Sequence, residues 1–158
     1  MSSRPLKNPY PSPELWEFRH KWFSYEMGQA LGSGDLVGVS TKQTRVLELE
    51  LETVFCAGAW LATIVLACAA AEVYVAGQDA KKEAKFLGPY GLREEWIWLQ
   101  SRRNEIVHST ARSPTDIAGM SYEQTHMENE AKRAVAAALK ILLLGTRVKL
   151  DTSIERDA

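Results

Sequence analysis

The chain has 158 residues, 46% of them hydrophobic, enough for one well-formed core and too few to argue for two. Nineteen basic residues stand against twenty acidic ones, so no global field recruits nucleic acid or an anionic membrane, and any polyanion has to be met by a local cluster. We expect a single domain over residues 1–150 and a loose tail over 151–158, whose residues have nothing to bury.

Met1 to Pro13 is proline-rich and polar, without the basic-then-apolar order of a signal peptide. Ser12-Pro13 then opens a helix, a capping hydroxyl followed by proline in the first turn, with a pattern that runs from Glu14 to about Leu31. Its aromatics (Trp16, Phe18, Trp22, Phe23, Tyr25) cover more than one face, which core packing explains better than a base-stacking platform. Gly32-Ser33-Gly34-Asp35 with Gly38 makes a loop. It lacks the preceding strand and the lysine-serine pair of a phosphate-binding fingerprint.

From Val46 to Glu52 apolar residues alternate with glutamates, which alone reads as a strand. Continuation into the alanine-rich run to about Gly77 favours one long helix carrying both cysteines, Cys56 and Cys68. Twelve helical residues separate these by about 18 Å, too far to bridge. Two buried thiols fit a reducing compartment, with cytoplasmic as the default location. Thr53 to Ala71 carries no charge, yet it is bounded by Glu52 and Glu72 rather than by aromatic or basic anchors, so a buried central helix is expected and no membrane span. Glu72 shares a stripe with Val65, Cys68, Ala69, Val75 and Ala76. It either reaches solvent near the helix end or pairs with an arginine, Arg103, on a later helix.

Gln78 to Phe86 reads as a short charged helix, and Gly88-Pro89-Tyr90-Gly91 as a break. The helix that follows, Leu92 to about Ser109, carries the most informative residues. At about 100° per residue, Leu92, Trp96, Leu99, Ile106 and Val107 form one stripe, and Arg103 lies near its centre. A guanidinium there has to meet a carboxylate, line a wet cleft or face a second subunit. Asn104 and His108, spaced i, i+4, share the adjoining face, with Arg103 long enough to reach toward them, so the three can converge on one ligand. Arg93, Arg102, Arg103, His108 and Arg112 make a local basic cluster. Ala111 to Met120 is a loop beside this site. Ser121-Tyr122-Glu123-Gln124 reads as a capping box for a last helix reaching about Leu144. The fold expected is all-α, an up-and-down bundle of four to five helices.

Metal chemistry has little support, because His20, His108 and His126 lie on different elements without a second histidine or cysteine at ligand spacing, and the i, i+4 pair His126 and Glu130 more often caps or solvates a helix turn. No serine or cysteine sits in a recognisable nucleophile turn. Phosphodiester chemistry suits the residues better: a histidine exchanges protons near neutrality and an arginine stabilises phosphate charge, with no metal or other cofactor needed when a ribose 2'-hydroxyl attacks.

The run LQSRRNEIVH, with Arg103, Asn104 and then His108, resembles the signature of the HEPN superfamily (higher eukaryotes and prokaryotes nucleotide-binding domain). The resemblance spans about Leu47 to Leu144. It implies a helical bundle that dimerises with the signature helices facing across a two-fold axis, and a metal-independent RNA endonuclease of a toxin or phage-defence system. In that scheme His108 is the general acid or base, Arg103 the phosphate clamp and Asn104 the orienting residue. Glu72 matches an acidic position of the family, and Glu72, Arg102 and Arg112 are candidates for substrate contact. The resemblance allows an antitoxin as partner of such a toxin; the alternative class is a non-catalytic nucleotide-binding, dimerisation or regulatory module, sometimes beside a nucleotidyltransferase partner, which the near-neutral charge favours. A third is a helical protein whose Arg103 merely pairs with Glu72.

Overall fold

A computed structural model describes residues 10–32, 42–76, 85–108 and 121–144, with the side chains of 44 and 121–123 left aside. These residues form five α-helices, α1 (Pro13–Leu31), α2 (Lys42–Cys56), α3 (Trp60–Ala76), α4 (Arg93–His108) and α5 (Ser121–Leu142), with a 3-10 turn over Lys85–Tyr90. No strand occurs among them, so the all-helical class is as expected.

The start of α1 follows from its sequence. The Ser12 hydroxyl accepts from Leu15 N–H at 3.2 Å, and Pro13 occupies a position whose N–H no helix uses. Gly32 ends the helix at φ 81°, its N–H bonded to Gly28 O.

The expected single helix from Val46 to Gly77 is instead two. Ala59 N–H bonds to Val54 O and Gly58 N–H to Phe55 O, the paired closing bonds of a glycine-terminated helix, with Gly58 at φ 77°. A reversal inside an apolar run is hard to read from composition, because Gly58 sits among residues that suit a helix on both sides. The turn is held from α1: Arg19 donates to Cys56 O at 3.0 Å and lies over the Trp60 ring at 4.6 Å. Trp22 and Trp60 both pack on Phe55, at 4.9 and 5.6 Å between ring centroids. Cys56 and Cys68 consequently stand on different helices, both buried and both free.

The reversal makes α3 the centre of the bundle. It packs most extensively on α5 and also meets α2 and α4, while α1 lies against α5 and α2. Ala67, Ala70 and Ala71 of α3 and Ala131, Ala134 and Ala138 of α5 are buried, which keeps the side-chain layer thin. Among the described residues no helix is long and apolar enough to cross a membrane. Gly88-Pro89-Tyr90, expected to break the chain, lies inside the 3-10 turn instead, which closes with Leu92 N–H on Leu87 O. The expected charged helix from Gln78, the Ser33–Gly38 loop, the Ala111–Met120 loop and the tail fall, wholly or in large part, outside the described residues.

Two positions in this frame invite measurement. A Cβ on Gly58 would stand 2.8 Å from Arg19 Nη1 in a backbone conformation that L residues avoid. Gly58→Ala is expected to cost at least about 1–2 kcal/mol in chemical denaturation. Glu48 is 8% exposed, with Oε1 lacking any hydrogen-bond partner among the described residues. Burial pushes its carboxyl above the usual range, with the charge of Arg45 pulling the other way. The folded chain holds this proton more tightly than the unfolded one, so stability from Glu48 is complete below the unfolded pKa and is lost as pH rises through the folded value. Glu48→Gln should therefore melt above wild type at pH 8, the gap closing toward pH 4. A gap independent of pH would refute this account.

Candidate functional site

Helix α4 carries the site, and the apolar residues that seat it are not all those expected. Leu92, Trp96 and Leu99 are buried and Ile106 is half-buried, but Val107 is 54% exposed. The stripe narrows in its last turn because Arg103, rather than another apolar residue, occupies the seam with α3.

Arg103 Nη2 donates to Glu72 Oε1 at 2.7 Å. Of the two readings open for Glu72, the ion pair is the one found. The pair is half-buried, 30% and 33% exposed, so it is desolvated enough to matter without the full cost of an interior charge. Arg103 Nε is buried without a hydrogen-bond partner among the described residues. The buried Cys68 thiol adjoins this pair. Burial, followed by the nearby Glu72 carboxylate, pushes it up to about 11, which leaves it a poor nucleophile at neutral pH.

Asn104 and His108 both face solvent. At about 100° per residue His108 projects roughly 140° around α4 from Arg103, and about 7.5 Å further along its axis. The structure thus places the three signature residues on one helix end, with Arg103 on the α3 seam and Asn104 and His108 on the open face.

Arg102 is engaged elsewhere. Its Nε and Nη2 both donate to Glu130 Oε2, at 3.0 and 2.7 Å, and Nη1 donates to Glu105 Oε2 at 2.7 Å. Burial opposes its charge, but the bonds to Glu130 and Glu105 outweigh that and raise its pKa. A phosphate at Arg102 would compete with two carboxylates. Arg112 lies outside the described residues.

A second clamp sits two turns back. Arg133 of α5 grips both oxygens of Glu95, at 3.0 and 2.9 Å, with its guanidinium 4.1 Å from the centroid of Trp98. The hydrogen bond from Arg133 holds the Glu95 carboxyl below the usual carboxylate range, against the opposing effect of burial. Glu95 with Arg133 and Arg102 with Glu130 run in opposite chain directions, so α4 and α5 are antiparallel. These two clamps were not foreseen: Glu130 reads in sequence as the i, i+4 neighbour of His126, whose Nε2 does lie 3.6 Å from Glu130 Oε1. The signal available was a carboxylate and an arginine three residues apart on α5, matched by a carboxylate and an arginine seven apart on α4. Only their antiparallel docking makes them partners.

Among the described residues no group of three histidine, cysteine or acidic side chains stands close enough to hold a metal ion. What the site offers is a tethered guanidinium, a solvent-facing amide and a solvent-facing imidazole, which suits proton transfer and anion stabilisation.

A double-mutant cycle on Glu72→Gln and Arg103→Gln should return a coupling of about 1 kcal/mol in stability, above that of the exposed Glu17–Lys21 pair. A coupling near zero would mean that the pair does not fasten α4 to α3. No protein-family model matches the chain, and no curated protein or solved structure is found to be similar to it.

Proposed function

We propose that the chain is a metal-independent RNA endonuclease of a toxin or phage-defence system, in which two copies complete one cleft. The observation that carries this reading is the last turn and a half of α4: Arg103 half-buried and held by Glu72, with Asn104 and His108 open to solvent beside it. The resemblance of these residues to the HEPN signature supplies the reaction class. Separation of Arg103 from His108 around the helix supports a composite cleft, since a two-fold partner can set the imidazole of one copy against the guanidinium of the other.

In this reaction the ribose 2'-hydroxyl attacks the adjacent phosphorus. His108 removes its proton, the new O2'–P bond forms and the P–O5' bond breaks. The imidazolium of the second copy returns a proton to the departing 5'-oxygen. Arg103 stabilises charge on the non-bridging phosphate oxygens, and Asn104 orients the substrate or the imidazole. The products are a 2',3'-cyclic phosphate and a 5'-hydroxyl. Glu72 presents Arg103 rather than touching RNA.

The second reading, a non-catalytic nucleotide-binding, dimerisation or regulatory module with a nucleotidyltransferase partner, is favoured by one observation. Both arginines of the signature run are neutralised by carboxylates, and the chain as a whole carries a net charge of −1.

The deciding assay incubates wild type, His108→Ala and Arg103→Ala with total RNA and a synthetic single strand in the presence of a chelator. Wild type should cleave to 2',3'-cyclic ends. His108→Ala should lose about 10²–10⁴-fold in rate while staying folded. Cleavage by His108→Ala at the wild-type rate overturns the catalytic assignment, and no cleavage by any folded sample selects the regulatory module.

A further inference from the structure

Helix α3 is apolar around nearly its whole circumference, with Glu72 as its single charge, yet one side of it is left uncovered by the described residues. At about 100° per residue the buried positions (Thr63, Ile64, Ala67, Cys68, Ala70, Ala71 and Val75) occupy a continuous arc, and every residue outside that arc except Glu72 is aliphatic. Along the middle of the outward face run Ala62, Ala69 and Ala76, spaced by seven, with Ala62 and Ala76 exposed and Ala69 half-buried. Leu66 and Val73 flank this line on one side and Val65 and Glu72 on the other. A helix apolar all round is built to be covered all round.

We propose that a second copy of this chain covers the face, α3 packing antiparallel on α3 with the two-fold axis beside Ala69. The face is complementary to itself. A perpendicular two-fold there sets Ala69 against its own copy and Ala62 against Ala76, so the backbones approach closely along the alanine line. The same operation keeps each flank on its own side, so Leu66 of one copy meets Val73 of the other and closes that edge with aliphatic contact. Glu72 on the opposite flank needs no counter-ion from the partner, because Arg103 of its own chain already supplies one. A face about 25 Å long and roughly 10 Å wide covers only about 250 Å², short of the roughly 800 Å² per partner that stable interfaces bury, so neighbouring surface has to join it. Exposed Val107, on the α3 side of α4, continues the apolar surface.

This seam deepens the proposed function and rests on it only for the meaning of the cleft. Because flanks are preserved, both copies of α4 lie on the Glu72 side of the paired α3 helices. Glu72 stands three residues from the axis, so the two Arg103–Glu72 pairs are about 9 Å apart along the helix direction. The outward face of α4 is the poorer seam: Ser101, Asn104 and His108 fill its centre and Ile97 is its one large apolar residue. Pairing through α3 leaves His108 at the mouth of the cleft, where a strand of RNA can reach it.

The test is symmetric cross-linking. Ala69→Cys places a cysteine beside its own copy at a separation a disulfide can span, whereas Cys56 and Cys68 are buried and give a silent background in wild type. Under mild oxidation Ala69→Cys should convert to a covalent dimer, Asn104→Cys should not, and Ala69→Arg should elute as a monomer of unchanged helicity. The proposal is overturned if Ala69→Cys stays uncross-linked, if Asn104→Cys cross-links faster, or if folded Ala69→Arg remains dimeric. The RNA assay is scored separately: cross-linking without cleavage keeps the seam and removes the nuclease, and cleavage by a protein whose Ala69→Cys variant does not cross-link keeps the nuclease and removes the seam.

Discussion

A seventeen-residue helix with a single charge is unstable in water, and covering α3 organises everything around it. Buried alanines on α3 and α5 let those two helices approach closely, and α2 can reach α3 only because the chain reverses at Gly58. Without that reversal the apolar run would be one rod of about 45 Å, longer than a single small bundle can cover. The Arg19 side chain, filling the space a Gly58 side chain would occupy, ties the reversal to α1 and makes the turn part of the core.

The way α4 is attached follows a different logic. Its apolar contact comes from Leu92 just before it, Trp96, Leu99 and the partly buried Trp98 and Ile106, and directional charge pairs add to it: Arg103 on Glu72, Arg102 on Glu130, and Glu95 on Arg133. Pairs of this kind add little net stability but fix orientation, above all where Arg133 grips both oxygens of Glu95 and two nitrogens of Arg102 meet Glu130, since such two-point contacts tolerate only a narrow range of approach. Asn104 and His108 are consequently carried on a helix whose rotation is set from both sides. Catalysis by proton transfer requires that kind of rigidity, and so does recognition by a partner.

The candidate site was legible in part. The conflict at Arg103, a cation on an apolar stripe, is visible in the spacing alone, and Glu72 was one of its foreseeable answers. The neutralisation of Arg102 was not legible, since Glu130 is 28 residues away and nothing local connects them. Val107 read as core because periodicity assumes that a face stays buried to the end of its helix, whereas α4 outruns the apolar surface beneath it. The division of α2 from α3 was missed for a related reason: a glycine between alanines weakens a helix only slightly, and the pull of Arg19, Trp22 and Phe55 on the turn comes from elsewhere in the chain.

By itself the sequence determined the helical class, the start of α1 at Ser12-Pro13, the apolar character of the central segment and the placement of arginine, asparagine and histidine on one helix end. All of these depend on residues within one or two turns of each other, where propensity and periodicity act. Only the tertiary structure decided which carboxylate each arginine meets, where the apolar run folds back and which side of α3 stays open. Those outcomes depend on how the helices dock, and docking is set by the shape and charge of surfaces assembled from residues far apart in the chain.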